Sequence, residues 1–186
     1  MSVERIASRY AKSLLDLAKD QDSVSDVLGD IQGFQKMVGV RDFYLLLKSP
    51  IVKVGKKSEI FNELFEGKVN KLTKAFFDIV LRKNREKYLP EIADEFIAQY
   101  NDMNGITPVK LITATPITDD AVEKIKAKLL AGDSSLNKVE IEKEVDESLI
   151  GGFIVKMGDK LIDASVAHRL QSLANTLTDQ RYESAN

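Results

Sequence analysis

Residues 149–170 read LIGGFIVKMGDKLIDASVAHRL, and this stretch decides the fold of the second half of the chain. Phe153, Val155 and Met157 alternate with Ile154 and Lys156, which is the period of a β-strand. Gly158-Asp159 offers a two-residue turn whose first position accepts positive φ, and Leu161 and Ile162 supply a short return strand. Ser165 then stands where an N-cap belongs, ahead of Val166, Leu170, Leu173 and Leu177 at helical spacing. Gly151-Gly152 lies between strands, so it marks a bulge or a close backbone approach rather than a dinucleotide fingerprint. The segment is a folding unit without catalytic groups.

Upstream of it, back to Gly105, the alternation continues. Val109, Leu111 and Thr113 alternate with Lys110, Ile112 and Ala114 in a strand ending near Pro116. Thr118 is placed to cap a helix with Asp119 and Asp120 in its first turn, where the helix dipole favours them. Val122, Ile125 and Leu129 form its stripe, and Gly132 ends it. Val139, Ile141 and Val145 alternate with Glu140, Glu142 and Glu144, the pattern of a half-exposed edge strand protected by charge. The same acids, with Asp146 and Glu147, also suit a docking face for a basic partner. Residues 106–186 therefore read as a small α+β domain.

Before Gly105 the period is helical throughout. Val3, Ile6, Ala7, Tyr10, Leu14 and Leu17 share one face of a first helix. Ser23 is placed to cap a second, with Val24, Val27, Leu28, Ile31, Phe34 and Val38 as its stripe. Phe43, Leu46 and Leu47 mark a third, stopped by Ser49-Pro50. Ile60, Phe61, Leu64 and Phe65 mark a fourth, closed by Gly67. A fifth spans about 69–83, and Pro90 opens a sixth that ends at Asn104-Gly105. The expected fold class is α+β: an N-terminal all-α six-helix bundle over 1–105, then the small α+β domain.

Composition narrows the chemistry. The 186 residues include no cysteine, which removes disulfides, thiolate metal sites and a cysteine nucleophile. A net charge of −2 argues against bulk nucleic-acid binding. MSVERIASRYAKSL lacks the apolar core of a signal peptide, and no apolar run reaches membrane-spanning length, so a soluble cytoplasmic protein is expected. Val54-Gly55-Lys56-Lys57-Ser58 is a fragment of a phosphate loop, but Pro50 occupies the place of its first glycine. A helix start with solvated lysines explains it better. His168 is the only histidine and reads as a surface or packing residue. The basic run from Lys68 to Lys87 falls mostly on the polar arc of the fifth helix. No catalytic, cofactor or metal site is expected.

One feature exceeds what a bundle needs. On the fifth helix Val69, Leu72, Ala75, Phe76, Ile79 and Val80 form a stripe that Phe77 and Leu81 widen to about two thirds of the circumference. The first helix is also wide, because Ala11, Leu15 and Ala18 flank its main face. Periodicity fits both a helix central to its own bundle and a pair of helices offering a groove to a third.

Arg9-Tyr10-Ala11-Lys12-Ser13-Leu14 with Leu17-Ala18, Lys83-Asn84-Arg85 with Leu89-Pro90, and the 149–170 stretch occur in an order that resembles the delta subunit of F-type ATP synthases, the bacterial counterpart of the mitochondrial oligomycin-sensitivity-conferring protein. Within the last stretch the marks are Gly151-Gly152, Gly158-Asp159 and Asp163-Ala164-Ser165-Val166, with Ala164 where glycine is also common. The resemblance covers nearly the whole chain. It implies a non-catalytic connector without cofactors that links the catalytic head to the peripheral stalk and resists rotor torque during proton-driven ATP synthesis. Its partners would be alpha subunits, with beta subunits a further candidate, and the b subunits of the stalk. It would sit on the cytoplasmic face of the cell membrane, associated only through the complex. The alpha N-terminal helix would lie between Tyr10, Ser13, Leu14 and Leu17 on one side and Phe76, Ile79, Val80 and Lys83 on the other. Stalk binding would fall around Val166, Leu170, Leu173 and Leu177. The alternative function is a helix-binding adaptor unrelated to ATP synthase.

Overall fold

A computed structural model of the chain describes residues 3–132, 136–158 and 160–172. These form an α+β protein that divides into two compact units, residues 1–100 and 101–186, and the division falls inside a helix.

The first unit contains α1 (Val3–Asp20), α2 (Val24–Val38), α3 (Arg41–Lys48), α4 (Val54–Phe65), α5 (Lys71–Arg82), a 3-10 turn (Glu86–Tyr88) and most of α6 (Leu89–Asn104). Backbone chemistry explains the breaks. Ser49 is extended, at ψ 123°, because the ring of Pro50 forbids it a helical conformation. Gly67 takes φ +71° just after α4, where a side chain would be strained. Two starts differ from expectation. Ser23 precedes α2, but only its carbonyl accepts a helical amide, from Val27; its hydroxyl is buried and has no hydrogen-bond partner among the described residues. The fifth helix begins at Lys71 rather than Val69, because Asn70 caps it by accepting from the Leu72 amide at 2.9 Å. Asp30 of α2 holds that cap, accepting from the Asn70 amide at 2.8 Å and from the Thr73 hydroxyl at 2.6 Å.

Phe34 lies at the centre of the core, with the rings of Phe43, Phe61, Phe65 and Phe77 at 5.2 to 6.5 Å in tilted and edge-on arrangements. Leu14, Leu47, Val80, Leu89, Ile92 and Phe96 complete the same buried cluster. The 3-10 turn, which periodicity misses, is held by a buried charge. Lys57 donates from Nζ to Glu86 Oε1 at 2.8 Å and to the carbonyls of Ser49 and Leu47 at 2.8 and 3.2 Å.

The second unit is a four-stranded sheet in the order β2-β1-β3-β4. The central β1 (Ile106–Thr113) pairs in parallel with β2 (Lys138–Val145), from Ile106↔Lys138 to Thr113↔Val145. A parallel pair needs a crossover, and α7 (Asp119–Gly132) supplies it. On its other side β1 pairs antiparallel with β3 (Phe153–Met157), which returns as β4 (Lys160–Asp163). Val109, Leu111, Val139 and Val155 form the core beneath Ile125 and Leu129 of α7. The acidic β2 is an edge strand with Glu140, Glu142 and Glu144 exposed, as its charge pattern predicts. Val145 departs from expectation and is half exposed. Two residues earlier on the strand, Lys143 pairs with Asp119 in the first turn of α7.

Residues 149–170 fold as their pattern predicts. Gly158 takes φ +54° at the turn; Asp159 lies outside the described residues. The chain then doubles back tightly, with the Ala164 amide donating to the Phe153 carbonyl and the Val166 amide to Gly151, both at 3.0 Å. Residues 166–172 are helical, and Ser165 caps them by accepting from the His168 amide at 3.2 Å. Ser165→Ala is expected to cost about 1 kcal/mol, read as faster amide exchange over 166–172. Hydrogen bonding from the Ser165 hydroxyl and amide holds the Asp163 carboxyl below the ordinary aspartate value, and nearby His168 adds a smaller pull in the same direction. A depressed carboxyl stabilises the fold above its unfolded pKa. That contribution is lost as pH falls through the folded one.

Candidate partner-binding surface

Helices α1 and α5 pack side by side within the first unit. Tyr10 joins them. Its ring meets Phe76 edge-on at 6.1 Å between centroids, and its hydroxyl accepts from Arg85 Nη1 at 2.8 Å. The Arg85 guanidinium also lies 5.5 Å from the Tyr10 ring centre, so one cation holds the phenol by a hydrogen bond and by its face. Beside this floor two large apolar side chains face solvent, Leu17 at 48% exposure and Ile79 at 50%. Half-buried Leu72 and exposed Ala75 extend the surface on α5, and half-buried Ile6 extends it on α1.

The residues expected to line a groove divide into two groups. Tyr10, Ser13, Leu17, Ile79 and Lys83 are exposed or half-buried, and Phe76 is buried but reaches the floor through Tyr10. Leu14 and Val80 correct the expectation: both are fully buried in the core cluster and have no surface to offer a partner. Each lies closer to its helix's buried face than does the exposed apolar neighbour, Leu17 or Ile79, at 100° per residue. Periodicity does not single out Arg85, because a basic residue beyond the helix reads as solvated. Its adjacency to aromatic Tyr10 exists only in three dimensions.

In the second unit Val166 and Leu170 are 39% and 54% exposed on one helical segment, and Leu161 and Ile162 of β4 are exposed as well. Leu173 and Leu177 lie outside the described residues. The other candidates take structural roles. In the Gly55-Lys56-Lys57 fragment Lys57 is buried and committed to Glu86, while Lys56 is exposed and pairs with Glu59 at 2.9 Å. Gly152 takes φ +82° at the close approach to Ala164 and Ser165. The His168 ring lies 4.0 Å from Asp163 at the surface. Among the described residues no group of three acids or histidines could hold a metal, and no helix is long and apolar enough to cross a membrane.

The sequence profile of the ATP synthase delta (OSCP) subunit family matches residues 6–177. The chain belongs to that family. The ATP synthase subunit delta of Cytophaga hutchinsonii is 37% identical over 97% of this chain and 98% of its own length. That of Chloroherpeton thalassium is 34% identical over 95% and 96%. A chain in the Toxoplasma gondii mitochondrial ATP synthase hexamer shares the fold, with a TM-score of 0.69 at 23% identity over 96% of this chain and 98% of that one. Membership makes the chain a structural, non-catalytic delta subunit of ATP synthase, and a stator role needs interfaces rather than a reactive centre. The exposed apolar surface over Tyr10 and Phe76 is the kind of feature such a role requires.

Proposed function

We propose that the α1–α5 surface receives the N-terminal helix of an alpha subunit and that the second unit joins the b-subunit stalk. Residues 1–105 then act as a six-helix bundle capping the catalytic head, and residues 106–186 form the stalk-facing domain. The complex lies on the cytoplasmic face of the membrane, and this subunit attaches there through its partners. While the rotor turns, the head experiences torque, and a connector with slowly dissociating interfaces keeps it from turning as well. The carrying observation is Leu17 and Ile79, two large apolar groups half exposed beside an aromatic floor shared by two helices. An amphipathic helix laid there covers both, and its burial supplies the affinity.

The test is titration of the full chain with a synthetic peptide of the alpha N-terminus. Ile79→Asp is expected to leave the circular dichroism unchanged and to weaken that peptide roughly tenfold to a hundredfold. Unfolding of the variant would show that Ile79 belongs to the core. For the stalk, a pull-down of the tagged chain that recovers neither alpha nor b subunits would sink the reading.

A further inference from the structure

We propose that Asn104-Gly105, where α6 passes into β1, is a site of spontaneous covalent modification: the Gly105 backbone nitrogen attacks the Asn104 side-chain amide, and residue 104 becomes aspartate or isoaspartate.

Asn-Gly occurs once in the chain. A glycine after asparagine leaves the attacking nitrogen unshielded, because no side chain stands beside it. That nitrogen gives up its proton and bonds to Asn104 Cγ, while the Cγ–Nδ2 bond breaks and ammonia leaves. The five-membered succinimide so formed then takes up one water. Opening at Cγ yields aspartate. Opening at the backbone carbonyl carbon yields isoaspartate, whose chain runs on through the former side chain. No oxidant, reductant or cofactor enters either step.

The fold supplies access. Asn104 is the last residue of α6 and Gly105 is the turn after it, and both are partly exposed. The final turn of a helix opens more readily than its middle. One bond holds the Gly105 amide, donated to the Asp102 carbonyl three residues back at 3.2 Å. A contact of that type and length is weaker than a regular helical bond. Other contacts set the pace. Gly105 takes φ +62°, and its carbonyl accepts from the Lys138 amide at 3.2 Å. The Asn137 side chain packs over it, with Nδ2 3.3 Å from where a Cβ would stand. The junction must therefore open locally before nitrogen and Cγ meet.

The products change what the junction holds. Either acid sets a negative charge at the C-terminal end of α6, where the helix dipole disfavours it. Isoaspartate also adds a methylene to the backbone just ahead of β1. Because Ile106 starts β1 opposite Lys138, that extra atom strains the first rung of the β1–β2 pairing.

The full chain is aged at mildly alkaline pH, folded and in guanidinium chloride, and followed by peptide mapping. In the folded chain residue 104 is expected to react before any other asparagine, giving two resolved acidic products. Its rate should fall about fivefold to thirtyfold below the denatured one, the ratio set by opening of a single turn. Asn104→Gln should leave the same peptide unchanged over that time. In the aged chain the Lys138 amide should exchange faster, whereas Asn104→Asp, which carries the charge without the methylene, keeps its protection. A folded rate roughly a thousandfold below the denatured one would place the reaction in the globally unfolded chain and overturn the inference. So would another asparagine reacting first. An aged chain whose Lys138 exchange matches that of Asn104→Asp overturns the effect on the strand pairing.

Discussion

Lys57→Ala is expected to destabilise the helical unit by about 3–5 kcal/mol, the cost of stripping one partner from a buried charge pair. Lys57 is 1% exposed, and its ammonium has three acceptors in place: Glu86 and the carbonyls of Leu47 and Ser49. Alanine leaves the Glu86 carboxylate, itself 7% exposed, with neither oxygen partnered, because Oε2 already lacks a hydrogen bond. It also frees the two carbonyls that end α3. The double change Lys57→Met/Glu86→Leu should recover much of the loss, since apolar groups of similar volume need no partner. Denaturant titration of the helical dichroism reads both: a lower midpoint for the single variant, partly restored in the double. Equal midpoints for the two would show that the ion pair is not the cause. The consequence reaches the proposed binding surface. Glu86 holds the 3-10 turn next to Arg85, and Arg85 holds Tyr10, so loosening the turn should also weaken the alpha peptide in whatever fraction stays folded.

Gly152→Ala should unfold the sheet unit and leave the helical unit intact. At φ +82° any side chain is strained, and a Cβ there would stand 2.9 Å from Ser165 Cα and closer still to the Ala164 carbonyl oxygen. Both are backbone, fixed by the Ala164 to Phe153 and Val166 to Gly151 hydrogen bonds, and neither can step aside. Strain and clash together cost about 3 kcal/mol or more. The same substitution at Gly158 is the control. Its φ is +54°, but nothing lies within 4 Å of an added Cβ, so only about 1 kcal/mol is expected. Amide spectra separate the outcomes: signals of Phe153 and Val155 collapse in Gly152→Ala while those of Val27 and Phe34 persist. A well-dispersed spectrum for that variant would show that the turn can shift to make room.

Much of the fold was legible because its signals are local. Helical spacing is a property of one segment, and the stops at Ser49-Pro50 and Gly67 need no knowledge of the rest. So too the doubling-back around Gly151-Gly152 and the Ser165 cap, whose partners lie within a few residues of the turn. At Ser23 the residue type permits a cap bond without requiring one, and the hydroxyl is buried instead. Periodicity gave no hint of the 3-10 turn at Glu86, because the lysine that holds it lies 29 positions away.

Local spacing and residue order are enough for the α+β class, the helical and strand segments and the family. The parallel pairing of β1 with β2 is visible in three dimensions alone, a contact made across a whole crossover helix. Tertiary packing alone separates Leu14 and Val80, sealed in the core, from Leu17 and Ile79, which face solvent on the same two helices. The physical reason is that a wide apolar stripe fixes which residues avoid water along one helix, while the packing of its neighbours fixes how much of that stripe is covered. What they leave uncovered between α1 and α5 is the surface proposed to bind the partner.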